Sequence, residues 1–311
     1  MNLTEKILEL KKEKNAVILA HYYQRDEIQQ VADHIGDSLA LAQIAAKCDC
    51  DILVMCGVNF MGETAKILSP RKKVLLPDNT AGCSLADSCN AVDLQKFKEK
   101  YPGYTVISYV NTTAEVKALT DIVVTSSNAR QIVESLPAGE KIIFGPDRNL
   151  GNYIKGVTGR DMIIWDGACH VHEQFSAAGI KELKKKNPDA EVLAHPECNR
   201  SVLDVADVVG STAALLKHSV SSPSGKFIVA TEPGILFEMK NRCPGKEFIP
   251  APSEEGGCAC NICSYMKQNT LEKLYEALEY ERYEVTLPEE LRAKAEVPIR
   301  RMLEISEKLK L

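Results

Sequence analysis

The sequence has no apolar run long enough to cross a bilayer. Its longest, "AVILA" and "DILVMCGV", have the length of buried strands. The opening stretch "MNLTEKILELKKEKN" interleaves Leu3, Ile7, Leu8 and Leu10 with charges. It lacks the uninterrupted apolar core of a secretion signal, so an amphipathic helix and a cytoplasmic location are expected. Positive charge is not in excess either. A formal net charge of −5 and a pI near 5.8 argue against nucleic acid or an anionic membrane as partner. No GxxxxGK[ST] or GxGxxG loop is present, so nucleotide binding has no support, and no low-complexity tract or linker interrupts the chain.

Cysteine, by contrast, is plentiful. Eleven cysteines, an odd number, in a chain expected to be cytoplasmic point away from a disulfide framework and toward metal or catalytic use. Cys48 and Cys56 lie beside apolar segments and read as small core residues. At 311 residues, 45% apolar and 26% charged, the chain is long enough for two or three ordinary globular domains.

Strand and helix patterns alternate throughout, which predicts parallel α/β architecture. They also repeat. "NAVILAHYYQ", "YTVISYVNT" and "AEVLAHPEC" are apolar runs ending in polar or aromatic clusters, and they align His21, Tyr109 and His195 at spacings of 88 and 86 residues. Seventeen residues after each anchor comes a hydroxyl, Ser38, Ser126 or Thr212, at an expected helix N-cap. A second strand and turn follow in "DILVMCGVNFMGETA", "EKIIFGPDRNLGNYI" and "GKFIVATEPGILFEM". Each unit then closes near cysteine, in "DNTAGCSLA", "WDGACHVHE" and "EEGGCACNICSYM". The expectation is three pseudo-equivalent α/β/α three-layer domains with parallel sheets around a pseudo-threefold axis. Their spans are 1–85, 86–170 and 171–311, the last including C-terminal helices with a proline break.

Ligands of open parallel α/β units bind beyond the carboxyl ends of the strands. Three helix N-termini converging there would let an acidic protein hold a polyanion. One cysteine from each unit would likewise meet at the axis, and three thiolates on a [4Fe–4S] cube leave one iron open as a Lewis acid. Spacing alone leaves Cys258, Cys260 and Cys263 all open as the third ligand, and it also allows a zinc clip or redox pair in "CACNIC".

The segments "LAHYYQ", "GDSLALA", "GVNFMGETAKILSP", "LLPDNTAGCSLAD", "YVNTTAEVKA", "FGPDRNLG", "WDGACHVHEQF" and "CSYMKQNTLEKL" resemble the quinolinate synthase family over nearly the whole chain. The resemblance implies a triplicated α/β/α fold and a three-cysteine [4Fe–4S] cluster. It also implies condensation of iminoaspartate with dihydroxyacetone phosphate to quinolinate, with loss of phosphate and two waters, in NAD biosynthesis. An aspartate oxidase would supply the iminoaspartate. Cys83 and Cys169 match the first two ligands, and Cys263, before "SYM", matches the third. The repeat spacing favours Cys258 instead, and a Cys260–Cys263 disulfide is a further expectation from the C-x-x-C spacing.

Tyr23, Tyr109 and Glu197 resemble the family's proton-transfer group, with Glu197 as general base. His21 and His195 look like carboxylate or phosphate binders. Asn111, Ser38, Ser126 and Thr212 fit substrate-orienting roles, and His172 is expected near the cluster. Two rival readings are another iron–sulfur hydro-lyase and a zinc or redox-switch binding protein that would dispense with Cys83 and Cys169.

Overall fold

The structure, a computed structural model, describes residues 2–254 and 261–311. Cys258 and Cys260, with the expectations attached to them, lie outside the described residues. Twelve strands form three parallel four-stranded sheets. The first holds β1 (Ala16–His21), β2 (His34–Gly36), β3 (Ile52–Cys56) and β4 (Lys73–Leu75). The second holds β5 (Thr105–Tyr109), β6 (Ile122–Val124), β7 (Ile142–Gly145) and β8 (Met162–Ile164). The third holds β9 (Glu191–Ala194), β10 (Val208–Val209), β11 (Lys226–Ala230) and β12 (Glu247–Pro250).

The strand orders β2-β1-β3-β4, β6-β5-β7-β8 and β10-β9-β11-β12 are one topology built three times. Register agrees as well: Ala20 pairs with Cys56, Ser108 with Gly145 and Ala194 with Ala230. The central strands are buried along nearly their whole length because helices cover both faces, so they read as apolar runs without alternation. Each unit's first helix, Leu3–Glu13, Ala91–Lys100 or Ala177–Lys186, starts on a side-chain cap from Asn2, Asn90 or Ser176. A third shared device lies at the outer end of each sheet. Asp33, Asp121 and Asp207 accept the backbone N–H of Ile18, Val106 and Val192 at 2.9, 2.8 and 2.7 Å.

Sequence analysis places a proline break in the C-terminal helices, and the structure locates it. The helix Leu271–Tyr280 ends before Pro288, which is the N-cap of Glu289–Lys308, whereas Pro298 sits inside that last helix. The first of these helices buries Leu274 and Leu278 against Ile18 and Val54 of the first unit. The second buries Ile299 and Met302 in the large central cluster, each such side chain contributing about 1.5–3 kcal/mol. Asn128 Nδ2 donates to Ser306 Oγ at 3.0 Å, tying this helix to the second unit.

Among the described residues no helix is long and apolar enough to cross a membrane.

Candidate active site at the junction of the three units

The carboxyl ends of β1, β5 and β9 open on one cavity lined by residues of all three units. His21, Tyr109 and His195, the three sequence anchors, line it together. So do Tyr23, Ser38, Asn111, Ser126, His172, Glu197, Thr212, Cys83, Cys169 and Cys263. The structure therefore brings these thirteen candidate residues to one place, Cys258 and Cys260 lying outside the described residues. The repeat explains part of this: Tyr23, Asn111 and Glu197 each lie two residues beyond an anchor, on equivalent turns.

One expectation is corrected. Ser38 and Thr212 are not N-caps but the first residues of the helices Ser38–Lys47 and Thr212–Ser221. Asp37 and Ser211 do the capping, accepting from Ala40 N–H at 3.0 Å and Ala214 N–H at 3.2 Å. In the second unit the helix Ala129–Ser135 begins later, and Ser126 sits in the turn before it. An acid or hydroxyl one residue earlier reaches the free amide two positions inside the helix, so the next hydroxyl is released toward the cavity. Ser127 joins the three helix starts: its Oγ donates to Asp37 Oδ2 at 2.5 Å and lies 2.8 Å from Ser211 Oγ, from which it can accept.

Glu197 is the electrostatic centre. It is 3% exposed, accepts the Tyr109 hydroxyl at Oε1 (2.5 Å) and has His172 Nδ1 at 3.2 Å from Oε2. Burial alone would raise its carboxyl. The facing His172, with His195 and the Tyr109 hydroxyl, more than offsets that and holds it down to about 2. Burial, with Glu197 adding to it, pushes the Tyr109 and Tyr23 hydroxyls well up, so both are proton donors. Tyr23 hydrogen-bonds Thr212 Oγ1 at 2.8 Å and Thr231 Oγ1 at 2.7 Å.

The two anchor histidines are neutral. Burial lowers both to about 3. Nδ1 of His21 accepts the Tyr23 amide at 3.1 Å, and Nδ1 of His195 accepts the Glu197 amide at 3.3 Å. That fixes the tautomer and leaves Nε2–H as the donor, on Ser126 Oγ at 3.2 Å for His195. They offer a bound anion hydrogen bonds rather than positive charge. Asn111 Oδ1 is buried with no protein partner, an acceptor left for a bound molecule.

The three cysteines share one local geometry. Cys83, Cys169 and Cys263 each precede a helical turn, and their carbonyls accept the amides of Asp87, Glu173 and Lys267, four residues on, at 2.9, 3.0 and 3.1 Å. Backbone amides also face the sulfurs: Leu85 and Ala86 at Cys83, His172 at Cys169, Tyr265 and Met266 at Cys263. Burial pushes all three thiols up, Cys83 to about 12, so thiolates here call for a metal centre to hold them. Soft thiols from three units with amides aimed at their sulfurs suit an iron–sulfur group. Cys169, His172 and Glu197 also bring donor atoms within 4.8 Å of one another and can hold a single metal ion.

Several lining residues escaped sequence reasoning. Ser84 Oγ and His170 Nδ1 are 2.7 Å apart, and the His170 ring meets Tyr265 edge-on, so the three cysteine turns touch through the residues beside the cysteines. Position relative to the repeated cysteine is the signal that would have found Ser84 and His170. Glu232, fully buried, follows β11 and also lines the cavity, and Thr231 beside it, behind the lining, takes His172 Nε2 at 3.0 Å.

The family model described as "Quinolinate synthetase A protein" matches residues 5–304. The chain is 57% identical over 300 residues to the quinolinate synthase of Microcystis aeruginosa, covering 96% of this chain and 94% of that protein. It is 56% identical over 305 residues to the quinolinate synthase of Synechococcus sp., covering 98% and 95%. It is 55% identical over 306 residues to that of Chloroherpeton thalassium, covering 98% and 95%.

Proposed function

The chain belongs to the quinolinate synthetase A family, and from that premise we propose that it condenses iminoaspartate with dihydroxyacetone phosphate. The products are quinolinate, phosphate and two waters, in the synthesis of NAD. The observation that carries this reading is the single buried cavity in which one cysteine turn from each unit faces the Tyr109–Glu197 pair. Cys83, Cys169 and Cys263 would hold a [4Fe–4S] cluster. Bound there, the cluster supplies an open iron as Lewis acid for loss of water.

The rest is done by the chain. Glu197, ionised and buried, is the base that takes a carbon-bound proton. Tyr109 shares its hydroxyl proton with Glu197, and Tyr23 sits on the opposite unit as a second donor. Ser38, Ser126 and Thr212, with the Nε2–H groups of His21 and His195, orient carboxylate and phosphate oxygens. The helices Ser38–Lys47 and Thr212–Ser221 add the positive ends of their dipoles. Asn111 Oδ1 accepts from a substrate hydroxyl or nitrogen. His172, between Cys169 and Glu197, keeps the base oriented.

Cys263 is favoured as the third ligand because it lines the cavity and its carbonyl accepts the amide four residues on, as those of Cys83 and Cys169 do. The unit spans 1–85, 86–170 and 171–311 are supported by each sheet lying between those divisions. Nine free cysteines among the described residues support a cytoplasmic enzyme.

The test is anaerobic reconstitution with iron and sulfide, counts of both per chain, and a quinolinate assay with the two substrates. About four iron and four sulfide are expected, lost in Cys83→Ala, Cys169→Ala and Cys263→Ala and kept in Cys258→Ala. A single metal ion held by Cys169, His172 and Glu197 without sulfide would overturn the cluster. Absence of quinolinate from loaded enzyme would overturn the activity.

A further inference from the structure

The residue two beyond the registered end of β3, β7 and β11 is Val58, Asp147 and Glu232. The two acids are both 0% exposed, and neither has a role in the chemistry above. Burial pushes both carboxyls up. A buried acid at a repeated position needs a reason, because an apolar residue there, as in the first unit, costs nothing in desolvation.

The reason lies in what the carboxylates face. Asp147 Oδ1 accepts Leu150 N–H at 2.8 Å, and the amides of Asn149 and Cys169 are directed at the same carboxylate. Its Oδ2 is buried with no hydrogen-bond partner, so acceptor capacity remains on this carboxylate. Glu232 Oε2 accepts Gly234 N–H at 2.6 Å, while Oε1 accepts Cys263 N–H at 3.3 Å and pairs with Lys267 Nζ at 3.0 Å. In both units, therefore, the acid faces the backbone amide of the cysteine that borders the cavity.

A second tie distinguishes the units. In the first, Asn59 N–H donates to Ala81 O at 2.8 Å. In the second, Arg148 N–H donates to Gly167 O at 2.7 Å. Each carbonyl belongs to the residue two before the cysteine. The third unit has Pro233 at the matching position, which has no N–H to give. There Glu232, with Lys267 as counter-charge, is left to hold the segment.

We propose that Asp147 and Glu232 are positioning residues that fix the backbones of Cys169 and Cys263, with Glu232 carrying the larger share. This rests on the reading of those cysteines as cluster ligands. In the first unit, with Val58 in place of the acid, the Asn59 amide holds the segment before Cys83; the second unit has the matching Arg148 tie with Asp147 added to it, and the third has Glu232 without the tie.

Asp147→Asn and Glu232→Gln test it with side chains of nearly the same size. Each carboxylate faces only donors, so a carboxamide must turn its NH2 toward an N–H or an ammonium. Two readouts are needed. The first is iron loss from reconstituted enzyme to a chelator. Substituting a residue that orients a metal ligand costs about 10- to 100-fold in metal affinity, and faster loss of that order is expected, greater for Glu232→Gln. The second is amide deuterium exchange in the cluster-free protein. Asp147→Asn should speed exchange in the peptide carrying Cys169 and not that carrying Cys263, and Glu232→Gln the reverse.

Should Glu232→Gln fail to fold, Lys267→Gln removes one of the donors to Glu232 and should speed exchange at Cys263 in the same direction. If the parent chain holds no iron–sulfur group, the ligand reading fails, and the exchange pattern still decides whether the acids hold the two segments. Unchanged iron loss and exchange in both variants overturn the proposal. So does equal loosening of both segments by either variant, which would mark a general loss of stability.

Discussion

The first and third units end their central strands with the same backbone and opposite chemistry. His21 and His195 each accept, at Nδ1, the amide of the residue two further on. In the first unit that residue is Tyr23, whose hydroxyl is spent on Thr212 and Thr231. In the third it is Glu197, which draws a hydroxyl from Tyr109 and an imidazole from His172. A copied scaffold supplies the positions, and divergence at single positions supplies an acid side and a base side. The cavity is asymmetric although its frame is threefold.

The largest effect should come from Glu197→Gln. Removing a positioned base costs about 10²- to 10⁴-fold in kcat, and thermal stability at neutral pH should fall, because the fold holds this carboxyl below its ordinary value and so favours its charge. Tyr23→Phe at the equivalent position should cost less, and equal losses in quinolinate turnover would break the comparison. Tyr109→Phe is next. It removes a hydrogen bond to a charged group, with about 1.5–3 kcal/mol at stake, so roughly a 10- to 100-fold drop in kcat is expected. Its cluster content should stay at the parent's value, which separates a proton-transfer role from a structural one.

At the aspartates on the outer ends of the sheets the units have not diverged, and the prediction is sameness. Asp33→Asn, Asp121→Asn and Asp207→Asn each weaken one bond to a strand amide at the outer end of a sheet. Each should lower stability in urea by about 1–3 kcal/mol and leave turnover unchanged.

The smallest effect concerns a position that differs in all three units: Gln29, Lys117 and Leu203. Gln29 Nε2 donates to the carbonyls of Tyr22 and Gln24, and Lys117 Nζ to the equivalent carbonyls of Val110 and Thr112. Leu203 cannot do so, and Asn149 Nδ2 instead holds Glu197 O at 3.0 Å. Burial lowers the Lys117 ammonium from 10.5 to about 8, with the nearby Glu63 opposing. Between those values the unfolded chain binds a proton that the folded protein has released. Stability therefore rises with pH across that window, by at most about 1.4 kcal/mol per pH unit, and is flat below it. Lys117→Met should lose this slope in unfolding curves from pH 7 to 10.

Much of this was legible in the chain because the repeat is long and its landmarks are local. The anchors His21, Tyr109 and His195 are strand ends, and strand ends show as an apolar run meeting a polar cluster. The helix starts were misread by one residue, since Asp37–Ser38 and Ser211–Thr212 both offer two capping side chains in a row. Sequence cannot say which one turns inward. Ser84, His170 and Thr231 were missed because their partners lie in other units.

The sequence by itself determined the parallel sheets, their threefold recurrence and the candidate chemistry at the strand ends, because these follow from apolar period, turn residues and side-chain type within a short stretch. Only the tertiary structure decided that Tyr109 from the second unit would meet Glu197 from the third, or that Asp147 and Glu232 would face the amides of Cys169 and Cys263. Those contacts join residues 22 to 88 positions apart. The first exists only once burial against the common core has fixed the units on one another, the other two only once each unit has folded, and no local pattern in the chain encodes such distances.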